Sequence, residues 1–235
     1  MTTLSVRKLS AAIAAAAMSL YRATPALADE VPSNSARIGL YSVFFHVKAD
    51  DLSGPYVPPG ANIDAKNLTT LYLGYVRRLS SHFDVELAIG YPPLQKTVGK
   101  GPATLGSVPY DGQVIATARW LAPTLLVEYM FFDENSKLRP YIGAGVNYAA
   151  FYDRDVTAQG NAASGGPTKL SLTSSVGPAG TAGLAYNIGG NWNLYASYSI
   201  SQVKTKLKAD TAGVIRTSHL SFGPQVFIAS VGYSF

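Results

Sequence analysis

The sequence predicts an all-β protein, an eight-stranded antiparallel transmembrane β-barrel with short periplasmic turns and four longer extracellular loops. Three observations support this prediction. Eight segments alternate with period 2, so that one face is apolar and the other carries glycine, polar and charged residues. Short turns and long polar segments alternate between them, as in outer-membrane barrels. After residue 28 no apolar stretch is long enough for a membrane-spanning helix, whereas a closed barrel satisfies its backbone polar groups in lipid.

The first 28 residues are predicted to be a secretory signal peptide, so that residues 29–235 form the barrel. A basic pair at positions 7 and 8 precedes an apolar run at 11–20, and a small-x-small cleavage site follows at 26–28. Its removal takes three of the 19 basic residues and leaves 16 against 14 acidic ones, a formal charge of +2 in place of +5. So small a charge gives no support for nucleic-acid binding. The sequence therefore predicts export to the outer membrane of a Gram-negative cell.

Strands one to three follow the cleavage site. Strand one is predicted at 37–48, where both faces are largely apolar, so neither can be assigned to lipid. Strand two, at 67–79, returns through a tight turn at 80–81 into strand three at 83–91, whose alternation is the clearest in the chain. Its outward residues are Phe83, Val85, Leu87, Ile89 and Tyr91, and its inward residues are Asp84, Glu86, Ala88 and Gly90.

Strands four and five form a hairpin at 121–151 that turns at 133–137. The odd positions of the first arm and the even positions of the second are apolar, with aromatic rings near the ends. A lipid-facing side that ends in aromatic rings, opposite a mixed lumen side, is typical of a transmembrane strand. The inward residues of this hairpin include Leu126, Glu128, Met130, Arg139, Tyr141 and Phe151.

Strands six to eight are predicted at 174–188, 192–201 and 217–235. The last strand ends on Phe235, and a terminal aromatic residue looks like the signal read by the outer-membrane barrel assembly machinery. The long extracellular loops would then lie at 49–66, 92–111, 153–169 and 204–216, with both termini on the periplasmic side. Prolines inside predicted strands oppose the assignment unless they lie at bulges or near the barrel rim. They are Pro123, Pro140, Pro178 and Pro224.

Residues 139–148, Arg-Pro-Tyr-Ile-Gly-Ala-Gly-Val-Asn-Tyr, resemble the signature of the OmpW family of small outer-membrane barrels, which includes AlkL-type proteins. Weaker matches at 123–131, 191–192 and 231–235 occur in the same order, so the resemblance covers nearly all of the mature chain. It implies a narrow, partly apolar lumen that opens sideways, for passive uptake of small hydrophobic molecules by lateral diffusion into the outer membrane. Family members often place bulky apolar residues at two lumen positions where this chain has Ala88 and Ser199. Smaller residues there would leave a wider or wetter lumen.

Two sets of inward residues are candidate functional residues. An eight-stranded barrel has room for side chains or one small ligand, so the larger apolar residues are predicted either to contact the solute or only to fill the interior. Inward charges are predicted to form an internal ion-pair plug rather than an acid–base catalyst, because unpaired charge in a lumen of low dielectric is costly. The candidate solute contacts are Leu126, Met130, Tyr141, Phe151, Tyr195, Val226 and Ile228, and the charges are Asp84, Glu86, Glu128 and Arg139.

The sequence indicates neither an enzyme nor a cofactor. The chain has no cysteine, and its three histidines, at 46, 82 and 219, lack the spacing of metal ligands or of a nucleophile with its base. The expected partners are outer-membrane lipid and lipopolysaccharide, small hydrophobic solutes and the assembly machinery. Basic residues in or beside the predicted loops would meet lipopolysaccharide phosphates or simply be solvated. They are Lys96, Lys100, Lys169, Lys204, Lys206, Lys208 and Arg216.

Two other functions remain open at this point. A non-conducting barrel could act as an adhesin or receptor through its loops, because the inward charges could close the lumen. A soluble lipocalin-like carrier has the same strand number, but it would place its apolar face inside, and apolar faces that end in Tyr and Phe disfavour it.

Overall fold

The computed structural model describes residues 33–105 and 108–235. The predicted signal peptide lies outside these residues. Within them, no helix is long and apolar enough to cross a membrane. In chain order the elements are β1 (Asn34–Phe44), β2 (Val47–Ala49), β3 (Asn62–Ala65), β4 (Leu68–Arg78), β5 (Phe83–Gly90), β6 (Leu94–Lys100), β7 (Thr104–Leu105), β8 (Val108–Pro109), β9 (Val114–Leu121), β10 (Thr124–Met130), β11 (Leu138–Val156), α1 (Ala158–Ser164), β12 (Thr168–Leu172), β13 (Ser175–Gly189), β14 (Trp192–Ser201), β15 (Val203–Thr211), β16 (Val214–Phe222) and β17 (Gln225–Ser234).

Eight strands close a barrel, which confirms the predicted fold. They are antiparallel in the order β10, β5, β4, β1, β17, β14, β13 and β11, and β11 pairs again with β10. The first and last strands meet along their full length, from Ser35 opposite Ser234 to Phe44 opposite Gln225. The closure gives each of the eight strands two paired neighbours, so that the wall exposes no strand edge to lipid along these ladders.

Alternation sets the two faces of the wall as the sequence predicts. In β10, Leu125 and Val127 are exposed on the outside, and Leu126 and Glu128 between them are buried. Strand one, whose faces the sequence left unassigned, follows its neighbours: Ile38 and Leu40 face outward, and Arg37, Tyr41 and Val43 are buried inside. Register decides this, because pairing with β17 and β4 leaves only one parity facing the lumen.

The extracellular connections are far more regular than the predicted loops. The segment predicted as the loop 204–216 is instead mostly strand, because β14 continues into β15 and β16 returns into β17. Together β12, β15, β16 and β2 form a four-stranded sheet, and β3, β6 and β9 continue the wall beside the outer end of β11. Lys204, Lys206 and Lys208 alternate with smaller or apolar residues, which is a strand pattern. Because lysine is uncommon in strands, the segment was predicted as a loop.

The four prolines fit the barrel in two ways. Pro123 and Pro224 lie between strands, at the points where β9 meets β10 and β16 meets β17. Pro140 and Pro178 lie within β11 and β13. The predicted fourth strand corresponds to β10, whereas the predicted last strand, 217–235, is two strands, β16 and β17, separated at Gly223 and Pro224.

Candidate functional site

Buried charges occupy the periplasmic half of the lumen. Arg37 is 4% exposed, and its Nη1 lies 3.5 Å from Glu86 Oε2 and its Nη2 4.0 Å from Glu128 Oε2. The guanidinium also lies 3.7 Å from the centre of the Tyr195 ring. Tyr72, 1% exposed, donates its hydroxyl to Glu86. One cation on β1 thus holds two carboxylates and an aromatic face from three other strands.

The charges continue towards the periplasm. Arg78 lies 3.9 Å from Asp84 and 3.7 Å from Glu134, and Arg139 donates to the backbone oxygens of Ser81 and Phe132. These arginines and carboxylates, together with Arg37, Glu86 and Glu128, form what we call the ion network. Its three arginines lie among four carboxylates, and these side chains fill the lumen, so the network closes the periplasmic half of the barrel.

A small recess lies above the ion network. Its volume is about 20 Å³, little more than one water molecule requires. Ala88 and Ser199, where the family resemblance implied bulkier residues, both border the recess. The Ser199 hydroxyl donates to Thr181 Oγ1 at 2.9 Å. The predicted residues that line the recess are Glu86, Ala88, Leu126, Ser199, Val226 and Ile228.

A much larger cavity fills the extracellular part of the barrel. Its volume is about 600 Å³, within the range of small-molecule sites. Phe45 lies at its base, with edge-to-face contacts to Trp120 at 6.0 Å and to Phe222 at 6.2 Å between ring centres. The upper wall includes the apolar cluster of Ile63, Leu207 and Leu220 from three strands of the extracellular extension. We call this space the extracellular cavity.

Apolar side chains predominate on the extracellular cavity, and several of its polar groups bond to the protein. Burial raises the pKa of Tyr110 to about 12, so that its hydroxyl is neutral at physiological pH. Arg216 points inward and donates to the backbone oxygens of Pro55 and Ser164, both at 3.1 Å. Gln95 donates from Nε2 to Lys66 O at 2.7 Å. The cavity therefore offers an apolar solute a largely apolar surface.

The barrel wall is interrupted beside the extracellular cavity. The β5–β10 ladder ends at the pair Ala88 and Thr124, and strand pairing resumes only at Leu94 and Arg119, between β6 and β9. The segments between these pairs are 89–93 and 120–123. Their prolines, at 92, 93 and 123, have no N–H to donate. One side-chain bond crosses here, from Arg119 Nη1 to Pro92 O at 3.0 Å.

The cavity reaches this interruption. Trp120 and Ala122 belong to the segment 120–123 and line the cavity, as does Gln95 on the other side. The segment 120–123 stays attached to β11, because Trp120 pairs with Phe151 and Tyr148 N donates to Pro123 O at 3.0 Å. Pairing is therefore weak on one side of the segment only.

The structure separates the predicted solute contacts into three levels. Phe151 lines the extracellular cavity. Leu126, Val226 and Ile228 border the recess below it. Met130, Tyr141 and Tyr195 lie with Ala185 in an apolar cluster at the level of the ion network. All of them lie inside the barrel, and their contact with a solute stays a prediction.

The predicted inward charges are all buried, but the sequence analysis missed their central partner, Arg37. A signal existed: three inward carboxylates faced only one predicted inward cation, so another cation was needed. The aromatic residues of the cavity were also missed. Phe45 lay in predicted strand one, whose faces were unassigned. Phe222 lay in the predicted last strand, and Trp120 preceded the predicted hairpin.

The described ranges contain no group of three or more His, Asp or Glu residues arranged to hold a metal ion. His82 contacts the backbone oxygen of Met130 at 3.0 Å through Nδ1, and His219 lies 3.8 Å from Asp50 on the outer surface. The third histidine, His46, accepts a backbone hydrogen bond from Gly223 through its carbonyl oxygen. The histidines thus lie at separate places on the barrel.

Comparisons with known proteins agree with the fold. Residues 36–235 match the profile of the OmpW family. Outer membrane protein W of Salmonella typhimurium is 35% identical over 172 residues, which cover 73% of this chain and 76% of that protein. The crystal structure of the outer membrane protein OprG from Pseudomonas aeruginosa has a TM-score of 0.77 at 24% identity, covering 87% of this chain and 96% of that one. The structure of outer membrane protein AlkL in lipid bilayers has a TM-score of 0.64 at 21% identity, covering 91% and 96%.

Proposed function

This chain belongs to the OmpW family and is an outer-membrane barrel, and on that premise we propose that it lets small hydrophobic molecules pass from outside the cell into the outer membrane. The solute enters the extracellular cavity, binds there and leaves sideways through the wall interruption. The observation that carries the proposal is the position of the cavity, which lies above a closed lumen and beside unpaired wall. The mechanism is passive, and we propose no catalytic step.

The ion network supports a sideways path rather than a straight one. An apolar solute that moved towards the periplasm would have to displace Arg37, Glu86 and Glu128 from one another, and separating buried charges is costly. The recess above the network is too small for an organic solute, at about 20 Å³. A solute in the extracellular cavity therefore has an easier path through the wall.

Binding in the cavity depends on the removal of apolar surface from water. Each buried CH₂ contributes about 0.8 kcal/mol, so a solute of six to ten carbons gains several kcal/mol in a cavity of about 600 Å³. The bilayer offers the same gain. Transfer from cavity to lipid is therefore nearly neutral in free energy, and binding does not trap the solute.

The wall interruption supports the exit. Opening a wall elsewhere would break ladder hydrogen bonds in lipid, where each unsatisfied group is costly. Between 89–93 and 120–123 these bonds are already absent, and the prolines could not supply them. On the lipid side, Tyr91 and Leu94 are exposed at 58% and 48%. A solute that leaves here meets apolar side chains on the lipid side of the interruption.

An uptake assay tests the proposal. The protein is produced in the outer membrane of a strain that lacks its own homologue, and uptake of a hydrophobic and of a small hydrophilic probe is measured. We expect uptake of the hydrophobic probe alone to rise above the empty strain. Phe222→Gln, in the cavity, should lower it about three- to tenfold, because an aromatic contact contributes about 0.5–1.5 kcal/mol. Phe227→Gln, on the adjoining strand but facing lipid at 49% exposure, is the matched control.

A third variant tests the route. Met130→Gln changes the lumen below the recess, so it should leave uptake unchanged as long as the barrel stays folded, which heat-dependent gel migration reports. Equal loss in Met130→Gln and Phe222→Gln would show that the solute crosses the whole lumen. No uptake above the empty strain for either probe would sink the transport proposal and favour a surface receptor that works through its extracellular sheets.

A further inference from the structure

Three lysines project from one strand of the extracellular sheet. In β15, Lys204, Lys206 and Lys208 are exposed, whereas the residues between them point inward and are buried. Leu207, between the last two lysines, and Val203, just before the first, line the extracellular cavity. The apolar side of β15 thus forms part of the cavity wall, whereas its lysine side faces away from the cavity.

Neighbouring strands add to the same face. Residues directly opposite each other in an antiparallel pair point to the same side of the sheet. Lys204 lies opposite Ser221, which lies opposite Lys48 of β2, and Lys206 lies opposite His219. On the other side of β15, Lys208 lies opposite Ser171, and Lys169 lies opposite Asp210 two rungs away on the same face. We call these five residues the lysine array: Lys48, Lys169, Lys204, Lys206 and Lys208.

The lysine array lacks enough acidic partners of its own. Over the described ranges, none of the five ammonium groups has a carboxylate oxygen within 4.0 Å. The carboxylates nearest in the sheet are Asp210, opposite Lys169, and Asp50, which lies 3.8 Å from His219. Lysines two residues apart on one face are about 7 Å apart and repel one another. An anion that binds between them relieves this repulsion.

The array begins where the lipid-facing surface ends. Ile200 of β14 is 53% exposed on the outside of the barrel, and Phe44 of β1 is 45% exposed. Lys204 and Lys48 each follow four residues later, with the same outward parity. Four residues of a strand tilted by about 40° rise about 10 Å along the membrane normal. This height is that of the headgroups, which lysine side chains can reach by bending back along the wall.

We propose that the lysine array binds the phosphate groups of a phosphorylated glycolipid in the outer leaflet. Each ammonium group offers three donors and a compact charge, which suit phosphate oxygens. Lys48 and Lys204 lie lowest and meet the phosphates first, and Lys206 and Lys208 extend the positive surface above them. The site lies on the outside of the barrel and is separate from the passage of solute.

Lipid retention tests this site. The folded full-length mature protein is placed in nanodiscs with phosphorylated lipid A or with lipid A from which the phosphates have been removed, and retained lipid is counted by native mass spectrometry. We expect retention of the phosphorylated form alone. Lys204→Gln with Lys206→Gln should weaken its binding about tenfold at low ionic strength, and the difference should shrink at high salt.

Matched variants separate the array from general charge. Lys204→Arg with Lys206→Arg should keep wild-type binding, because the charge is preserved. Lys100→Gln with Lys137→Gln removes the same charge outside the array and should also bind as the wild type does. Equal loss in this control, or none in the Lys204→Gln and Lys206→Gln protein, overturns the proposal. If inorganic phosphate displaces the lipid at equal concentration, the site takes a free anion and the assignment to lipid is wrong.

Discussion

Replacing Arg37 with methionine should destabilise the barrel strongly. Arg37 is the cation between Glu86 and Glu128, and it lies over the ring of Tyr195. Methionine has a similar length but no charge, so the two carboxylates would remain buried without their central partner. The expected result is a large loss in the free energy of unfolding, with the outer surface of the barrel unchanged.

The structure sets the size of this loss. At an effective dielectric of about 20, charges 3.5 Å and 4.0 Å apart attract with about 4–5 kcal/mol each. Desolvation offsets much of that attraction, and removing one member of a buried pair typically costs about 3–5 kcal/mol. We therefore expect Arg37→Met to lose about 3–5 kcal/mol. Adding Glu86→Gln and Glu128→Gln should recover at least half of it, because no charge is then left unpaired.

Urea unfolding in phospholipid vesicles measures this effect through the fluorescence of Trp120 and Trp192. Arg77→Met is the matched control, since Arg77 bonds only neutral groups among the described residues, Ser33 at 3.1 Å and Asn34 at 2.9 Å. It should lose less than about 2 kcal/mol. If Arg37→Met costs no more than this control, or if the triple variant is no more stable than Arg37→Met alone, the ion network does not hold the lumen as described.

Three further predictions concern backbone packing, pH and assembly. Gly145→Ala should prevent folding or cost more than about 2 kcal/mol, because its Cβ would lie 1.9 Å from Leu125 O, whereas Gly180→Ala, with no atom nearer than 3.7 Å, should change unfolding in urea little. The raised pKa of Tyr110, about 12 in the folded barrel against about 10 unfolded, stabilises the barrel below pH 10. In the wild type, this contribution of about 2–3 kcal/mol to the free energy of unfolding should be lost between pH 10 and 12. Tyr110→Phe lacks the titrating hydroxyl, so its free energy of unfolding should fall less over this range. Deleting Phe235, which is 55% exposed and hydrogen-bonds Asn34 O through its backbone N–H at 2.8 Å, should lower the yield of folded barrel in the outer membrane more than it lowers refolding in detergent. Equal losses in both settings would contradict a role as an assembly signal.

The strand pattern of this chain could be read from sequence because lipid and lumen impose opposite demands on neighbouring residues. Along β5 and β10 every outward residue is apolar and the inward ones include Asp84, Glu86 and Glu128, so the two faces and the strand number followed directly. The same rule failed for strand one, where both parities are largely apolar. Only pairing with β17 and β4 shows that Arg37 and Tyr41 point inward.

The sequence by itself determined the barrel class and the burial of Asp84, Glu86, Glu128 and Arg139, since each depends on alternation within one segment. Tertiary structure decided the site. The extracellular cavity brings Phe45, Trp120 and Phe222 together from three distant segments, and the wall interruption depends on the register at which β5 leaves β10 and β6 meets β9. Such features arise from contacts between strands, and alternation along a single strand does not determine which strands it pairs with or in what register.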